Sequence, residues 1–244
     1  MSRPVSNYYD RKWVEAAVGT GQHRDVIGGL WDTLGPIQLE LMIKYGLEPS
    51  HKFLDIGCGS LRGGVHFVRF LDPGHYFGVD LNESLLDAGY NVELAAQDLQ
   101  NKLPRMNLVT DGEFQFGRFG VQFDRAIAFS LFTHLPLNQI RICLEKLSQV
   151  ISPGGMFFAT FFEAPEHVPS HRDILQGPGG VTTHGASDPY HQRVSDFHYL
   201  VASLPWEVEF ISDFGHPRDQ KLVGFRRKPD SRPADEAMAE LPLK

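Results

Sequence analysis

Cysteine is scarce: the 244 residues hold Cys58 and Cys143 and no others. Two thiols cannot make a disulfide framework or a cysteine zinc site, and a reducing, cytoplasmic setting is the simplest reading. Basic charge is also short. Twenty-three Lys and Arg face 30 Asp and Glu, for a net charge of −7, which argues against non-specific binding to nucleic-acid phosphates. No apolar run could span a bilayer, and the opening MSRPVSNYYDRKWVEAAVGTG lacks the apolar stretch of a signal peptide. The 11 histidines are scattered, without His-x-Glu-x-x-His or similar ligand spacing, so no metal is expected. No internal repeat is visible.

What is present is ordinary globular composition, 42% hydrophobic and 22% charged, in a length that suits one core with additions. Residues 1–50 read as a helical extension. Val26, Ile27, Leu30, Trp31 and Leu34 recur at helical spacing, LGP at 34–36 breaks the run, and Pro36 opens a second helix that stops at Gly46. From residue 51 the texture becomes alternating strand and helix. KFLDI, HYFGVDL, MNLVTD, FDRAIAFS and MFFATFF read as strands. Between them lie RGGVHFVRFL, the helix ESLLDAGYNVELAAQDL with Asn82 placed to cap it, and a helix carrying Ile140, Cys143, Leu144 and Leu147 that stops at SPGG. Helices of this length between strands imply a parallel sheet with right-handed crossovers. Residues 164–194, rich in Pro, Gly and His, read as a long inserted loop, a type that is usually functional or disordered. VSDFHYLVASL, WEVEFISDF and KLVGFRR close the domain at residue 227, and 228–244 reads as a flexible tail.

The chemistry concentrates in FLDIGCGSLRGG, residues 53–64. A dinucleotide fingerprint needs G-x-G-x-x-G, its third glycine allowing close packing beside a pyrophosphate. Gly57 and Gly59 fit, but the third position is Arg62. Asp55, two residues ahead of Gly57, would repel a phosphate arriving at that strand end; a carboxylate there suits a ligand with a cationic amine and hydroxyls.

These landmarks resemble the class I S-adenosylmethionine-dependent methyltransferases over roughly residues 50–226. LDIGCGS is similar to the family's first motif, which packs under the methionine part of the cofactor. GVDL sets Asp80 at the end of strand two, 25 residues after Asp55, where the family's acid accepts from both ribose hydroxyls. LVTDGEF sets Asp111 where the family's acid meets the adenine amino group, and FDRAIAFSLFTHLP and LSQVISPGGMFFATFF resemble its fourth and fifth strands with the intervening helix. The resemblance implies a Rossmann-like α/β fold with seven strands, mostly parallel with the last antiparallel, and helices on both faces. It implies S-adenosylmethionine as cofactor, held by Asp55, Gly57, Cys58, Gly59, Ser60, Asp80, Leu81, Asp111, Gly112, Phe129 and Ser130. The family's third glycine would fall at 61, where this chain has Leu61, which leaves the path of residues 60–64 open.

Methyl transfer is an in-line displacement that needs alignment, desolvation and, for some acceptors, deprotonation. Ligands of open α/β sheets sit at the carboxyl ends of the strands, so His134 in FTHLP is the candidate base or orienter; it could equally hold its loop. In the insertion His184, Asp188, Tyr190 and His191 are candidate substrate contacts, each also readable as an ordinary surface residue. SDPY at 187–190 superficially matches the Asp-Pro-Pro-Tyr motif of enzymes that methylate base amino groups, but it lies far from strand four, where that motif belongs. Trp31 is either core or a wall of the substrate pocket, in an extension expected to act as a lid. Arg62 either caps the fold or faces the substrate. The expectation is a cytoplasmic methyltransferase acting on a small molecule at oxygen, with no nucleic-acid or membrane partner. S- or N-methylation is the alternative within the fold; an NAD-dependent reductase and a non-catalytic cofactor-binding regulator are the rivals outside it.

Overall fold

A computed structural model describes residues 6–169, 171–177 and 179–229. From residue 230 onward, the tail expected to be flexible lies outside the described residues. The chain forms two compact units, Met1–Glu113 with Arg125–Phe129, and Phe114–Asp124 with Ser130–Lys244.

The first unit opens with α1 (Arg11–Gly19), capped by Asp10, whose carboxylate accepts the Trp13 N–H at 3.2 Å. A single turn, α2 (His23–Val26), and then α3 (Trp31–Lys44) follow. The helix break expected at LGP is therefore displaced. Gly28 and Gly29 have φ of 86° and 62° and Leu30 is also left-handed, so the chain turns there and Pro36 lies inside α3. A proline in the second turn removes one helical N–H, which helix packing tolerates near an N-terminus. Strands β1 (Phe53–Ile56), β2 (Tyr76–Asp80), β3 (Leu108–Thr110) and β4 (Phe123–Ala128) pair in parallel in the order β3-β2-β1-β4. Between them run α4 (Gly64–Phe70) and α5 (Glu83–Ala88). The ESLLDAGYNVELAAQDL helix is not uniform: after α5 it widens into a π turn at Gly89–Leu94 and tightens into a 3₁₀ turn at Ala95–Gln97. Asn82 does not cap it by its side chain, whose amide donates to the Tyr8 carbonyl at 3.1 Å. Phe53, Phe67 and Tyr76 pack ring on ring beneath the β1 end.

The second unit contains α6 (Leu137–Ser148), β5 (Ile151–Glu163), the hairpin β6 (Ile174–Gln176) and β7 (Val181–Thr183), β8 (His191–Gln192), α7 (Val194–Val201), β9 (Trp206–Asp213) and β10 (Gln220–Arg227). SPGG is already part of β5, with Gly154 at φ 79°. β10 lies antiparallel between β5 and β9, and β8 runs parallel beside the end of β5. Phe132, Phe157, Phe161, Phe197, Trp206 and Phe225 form the buried core, each such side chain contributing about 1.5–3 kcal/mol. Residues 164–194 are thus more ordered than a plain loop: a hairpin, a short strand and a cis Asp188–Pro189 bond shape them. The fold class is α/β, Rossmann-like and mostly parallel, with the last strand reversed.

Candidate active site

The glycine turn after β1 is built to present backbone rather than side chain. Gly57 and Gly59 sit at φ of 74° and 54°, conformations that favour glycine. The Gly57 and Cys58 N–H groups both donate to the Val79 carbonyl, at 2.8 and 3.1 Å, tying the turn to the end of β2. The Gly59 N–H donates to Asp80 Oδ2 and the Asn82 N–H to Asp80 Oδ1, each at 2.9 Å. These backbone donors fix the carboxylate and leave it acceptor capacity. Asp80 is half-buried; desolvation pushes it up to about 6, against the pull of the Asn82, Gly59 and Leu81 amides. The Asp111 N–H donates to the Asp80 carbonyl at 2.9 Å, and Asp111 Oδ1 accepts the Glu113 N–H at 2.8 Å. A Cβ at Gly112 would come 2.8 Å from Leu81 Cδ1, so the two side chains share one space. Phe129 is buried at the end of this group.

Asp55 lies below the turn, 3% exposed, and accepts the Tyr76 O–H at 2.7 Å. Burial raises it to about 7; the Tyr76 bond opposes that rise, and the neighbouring Asp80 charge adds to it. Burial, with the Asp55 and Asp80 charges, also pushes the Cys58 thiol well up, so this cysteine is no nucleophile near neutral pH.

The path of residues 60–64 is resolved by two displaced glycines. Leu61 occupies the family's third-glycine position in a left-handed conformation, φ 66°, and is fully buried. A Cβ at Gly64 would meet Leu61 Cβ at 2.8 Å, and one at Gly89 would meet Leu61 Cγ at 2.6 Å. The freedom missing at 61 is supplied by space at 64 and 89. Arg62 caps the fold: its Nη1 donates to the carbonyls of Ile27 at 3.1 Å and Gly29 at 2.8 Å. The Ser60 hydroxyl, proposed for the cofactor, donates to the His23 carbonyl at 3.3 Å. Trp31 belongs to this same cover and is half-buried rather than core, with the Arg24 guanidinium 4.4 Å above its ring. Arg24 Nε and Nη2 and His23 Nε2 all bond Glu93 at 2.7 Å. Burial opposes Glu93 ionisation, but the hydrogen bonds from Arg24 and His23 and the Arg24 charge outweigh it and hold its carboxyl below the usual range. Sequence reasoning missed Tyr76, Gly89 and Glu93, since none lies in a motif and each acts through a contact distant along the chain.

In the second unit the chain leaves β4 through Ser130, a non-glycine at φ 59°. Its N–H donates to Thr160 Oγ1 at 2.7 Å, and its hydroxyl donates to Gln220 Oε1 at 3.1 Å, so its side chain serves the turn. His134 closes the following 3₁₀ turn, and its Nδ1 lies 2.5 Å from Asp188 Oδ1. Of the insertion candidates, His184 instead pairs with Asp173 at 2.7 Å, and His191 Nδ1 lies 3.0 Å from Thr183 Oγ1. Tyr190 and His191 are mostly buried and line a recess of about 290 Å³ with Pro136, Asn138, Gly185 and Arg193. Among the described residues, no group of three or more His, Cys, Asp or Glu could hold a metal.

Asp80 and Asp111 stand at the turn, Asp55 lies buried beneath it and Arg62 is turned away into carbonyls, a set that suits hydroxyls and an amine better than a pyrophosphate. Residues 54–157 match the family model described as a methyltransferase domain. Residues 54–157 are a methyltransferase domain, with the fold of the class I S-adenosylmethionine-dependent enzymes. The sterol 24-C-methyltransferase of Yarrowia lipolytica is 25% identical over 141 residues, covering 56% of this chain and 35% of that protein. The chain therefore spans about a third of that curated relative. Among solved structures, the magnesium protoporphyrin IX methyltransferase of Synechocystis PCC 6803 with bound S-adenosylhomocysteine superposes at a TM-score of 0.63 and 13% identity. That match covers 90% of this chain and 98% of the other. A glycopeptide N-methyltransferase complexed with S-adenosylhomocysteine gives 0.58 and 16%, over 79% and 90%. At these identities the structures speak for the fold. The methyltransferase family uses S-adenosylmethionine, and the donor set here fits it.

Proposed function

We propose that this chain methylates a small molecule, at an oxygen nucleophile, in the cytoplasm and without a nucleic-acid or membrane partner. The carrying observation is the accessible His134 imidazole, 28% exposed and paired with Asp188, on the loop that follows β4. Oxygen is the acceptor atom that gains most from a base, whereas a thiol is already partly ionised near pH 8. The recess beside Tyr190 and His191, at about 290 Å³, is of small-molecule size. Buried, unpaired Cys58 and Cys143 suit a reducing compartment. No helix among the described residues is long and apolar enough to cross a membrane.

In this reading Asp80 holds the ribose hydroxyls, Asp111 the adenine amino group, and Asp55 with the Gly57–Gly59 backbone the aminoacyl end, with Leu81, Gly112 and Phe129 shaping the walls. When bound, S-adenosylmethionine supplies an electrophilic methyl group on a sulfonium. Residues 1–50 act as a lid, held down by Arg62 and Glu93. Incubation with methyl-labelled S-adenosylmethionine and a metabolite extract, followed by mass spectrometry, tests the reading. Label on a small hydroxyl compound is expected. Label on sulfur or nitrogen would move the acceptor within the fold, and no label despite cofactor binding would favour a regulator.

A further inference from the structure

The recess beside Tyr190 lies wholly within the second unit, and its walls are tied together by hydrogen bonds. The Tyr190 N–H donates to the Thr133 carbonyl at 2.7 Å. The Gln192 side-chain amide donates to the Phe132 carbonyl at 3.1 Å and reaches the Leu135 carbonyl at 3.5 Å. The Ala164 N–H donates to the Gln192 carbonyl at 2.9 Å, pinning β8 to the end of β5. The returning segment is thus laced to the turn that leads into α6, and the space beside them is preformed.

That space is met by the uncapped start of α6. Its N-cap is Pro136, which offers no side-chain acceptor, and its first turn carries no acid. The Gln139 and Ile140 N–H groups donate back to the Pro136 carbonyl, at 2.9 and 3.2 Å. The Leu137 and Asn138 N–H groups have no hydrogen-bond partner among the described residues. They point out of the helix end, where the macrodipole adds about half a positive charge. A second donor is also unused. Tyr190 is 8% exposed, yet its hydroxyl makes no hydrogen bond among the described residues. Burial, and then the Asp188 charge, push the phenol above its usual value, which keeps it a proton donor. Pro136, Leu137, Asn138 and Tyr190 all line the one recess, of about 290 Å³. A helix end facing bulk water needs nothing more, but a buried phenol without an acceptor is costly unless an occupant supplies one.

The surrounding charges decide what kind of occupant fits. Arg193 is in the wall, with its Nη2 donating to the Val168 carbonyl at 2.6 Å, and Asp196 stands beside it, Oδ2 accepting the Arg193 N–H at 2.8 Å. The Asp188 charge reaches Tyr190, and Glu166 occupies the start of α7, accepting from the Ser195 N–H at 3.0 Å and hydroxyl at 2.8 Å. Three acids set against Arg193 disfavour a carboxylate or phosphate, whereas an uncharged oxygen still gains the unused donors. We propose that this recess binds a compact, uncharged molecule by a carbonyl or hydroxyl oxygen, which accepts from the Leu137 and Asn138 N–H groups and the Tyr190 hydroxyl. Pro136, Leu137 and the Tyr190 ring cover its apolar part. The binding stands on the second unit alone; the further step, that the bound molecule is the one methylated, rests on the reading above.

The test uses the full chain, ¹⁵N-labelled, with benzamide as the probe and benzoate as the same shape carrying charge. Titrated with benzamide, the Leu137 and Asn138 amide signals should shift together to saturation, the Leu137 signal being identified by its loss in Leu137→Pro. Benzoate should bind about 3-fold or more weakly. Leu137→Pro removes one donor and little else. The residue is at the first helical position, where proline is favoured, and Pro136 before it has ψ 159°, an angle a following proline permits. Tyr190→Phe removes the hydroxyl and keeps the ring. Each should weaken benzamide about 3–10-fold, the worth of one hydrogen bond, while amide signals away from the recess stay those of wild type and report folding. Shifts confined to other regions, benzoate bound as tightly as benzamide, or affinities that neither variant lowers overturn the site. Benzamide that binds here without slowing label transfer from methyl-labelled S-adenosylmethionine leaves the site standing and overturns only its link to the methylated molecule.

Discussion

Adding a single methyl group to Gly89 tests the displaced-glycine account of the cofactor turn. The new Cβ of Gly89→Ala would lie 2.6 Å from Leu61 Cγ and 2.9 Å from the Ser60 carbonyl carbon. Leu61 can yield by rotating, but the Ser60 backbone cannot move without shifting the adjoining Gly59, whose N–H holds Asp80. Overpacking of this kind costs about 1–3 kcal/mol. Gly89 has helical angles, φ −57° and ψ −46°, so alanine recovers about 1 kcal/mol of helix propensity. Because the Ser60 backbone contact at 2.9 Å cannot yield, the overpacking lies in the upper part of that range, about 2–3 kcal/mol, leaving a net loss of about 1–2 kcal/mol and a fall in Tm of about 2–8 °C for a chain of this size. Leu61→Ala alone should cost about 2–5 kcal/mol by emptying a buried site. Leu61→Gly should be no worse than Leu61→Ala, because glycine accepts φ 66° without the roughly 1 kcal/mol strain. In Gly89→Ala/Leu61→Ala the new methyl enters the vacated space, giving a favourable coupling of about 1 kcal/mol by thermal or urea unfolding. Strict additivity, or a Gly89→Ala variant as stable as wild type, would refute the reasoning.

Two further expectations follow from the charges. Because burial holds Asp55 at about 7 when the usual aspartate value is near 4, the folded protein binds the extra proton, and stability without ligand should decline as pH rises from about 4 through 7. S-adenosylhomocysteine carries an ammonium that favours the carboxylate, so its affinity by calorimetry should rise over the same window; Tyr76→Phe, which removes the opposing bond, should move the rise to higher pH, and a pH-independent affinity would count against Asp55 as the amine's partner. Glu93 is held low, so its contribution is present above the usual glutamate range and lost as pH falls through its folded value. Glu93→Gln should lower Tm at neutral pH by the equivalent of about 2 kcal/mol, less than a fully buried pair because Arg24 is half exposed, and the gap to wild type should close in acid.

The succession of strands along the chain and the backbone shape of the glycine turn were legible because both depend on local pattern: apolar runs, turn glycines, and an acid at each strand end. Arg62 was not, because its partners at Ile27 and Gly29 lie more than 30 residues away and are carbonyls that any side chain could have offered. Pro36 misled for the opposite reason. A local breaker signal was overridden by Gly28, Gly29 and Leu30, whose left-handed angles had already turned the chain. Asn82 had cap chemistry at a cap position, yet Tyr8 from the N-terminal segment captured its amide. Asp188 looked like one polar loop residue among several; only the pairing of Tyr190 N–H with Thr133 brings it to His134. Motifs were readable wherever the physics was local, and the gaps fall where tertiary hydrogen bonds choose among equivalent residues.

The central claim is that the acid-lined turn holds S-adenosylmethionine and not a dinucleotide. Isothermal calorimetry of the wild-type chain and of Asp80→Ala against S-adenosylhomocysteine and NADH tests it in one set of titrations. The account predicts that wild type binds S-adenosylhomocysteine and not NADH. It further predicts that Asp80→Ala weakens binding by about 10–100-fold, through the lost ribose bonds and the freed Gly59 N–H. Binding of NADH alone, or S-adenosylhomocysteine affinity indifferent to Asp80, would contradict it.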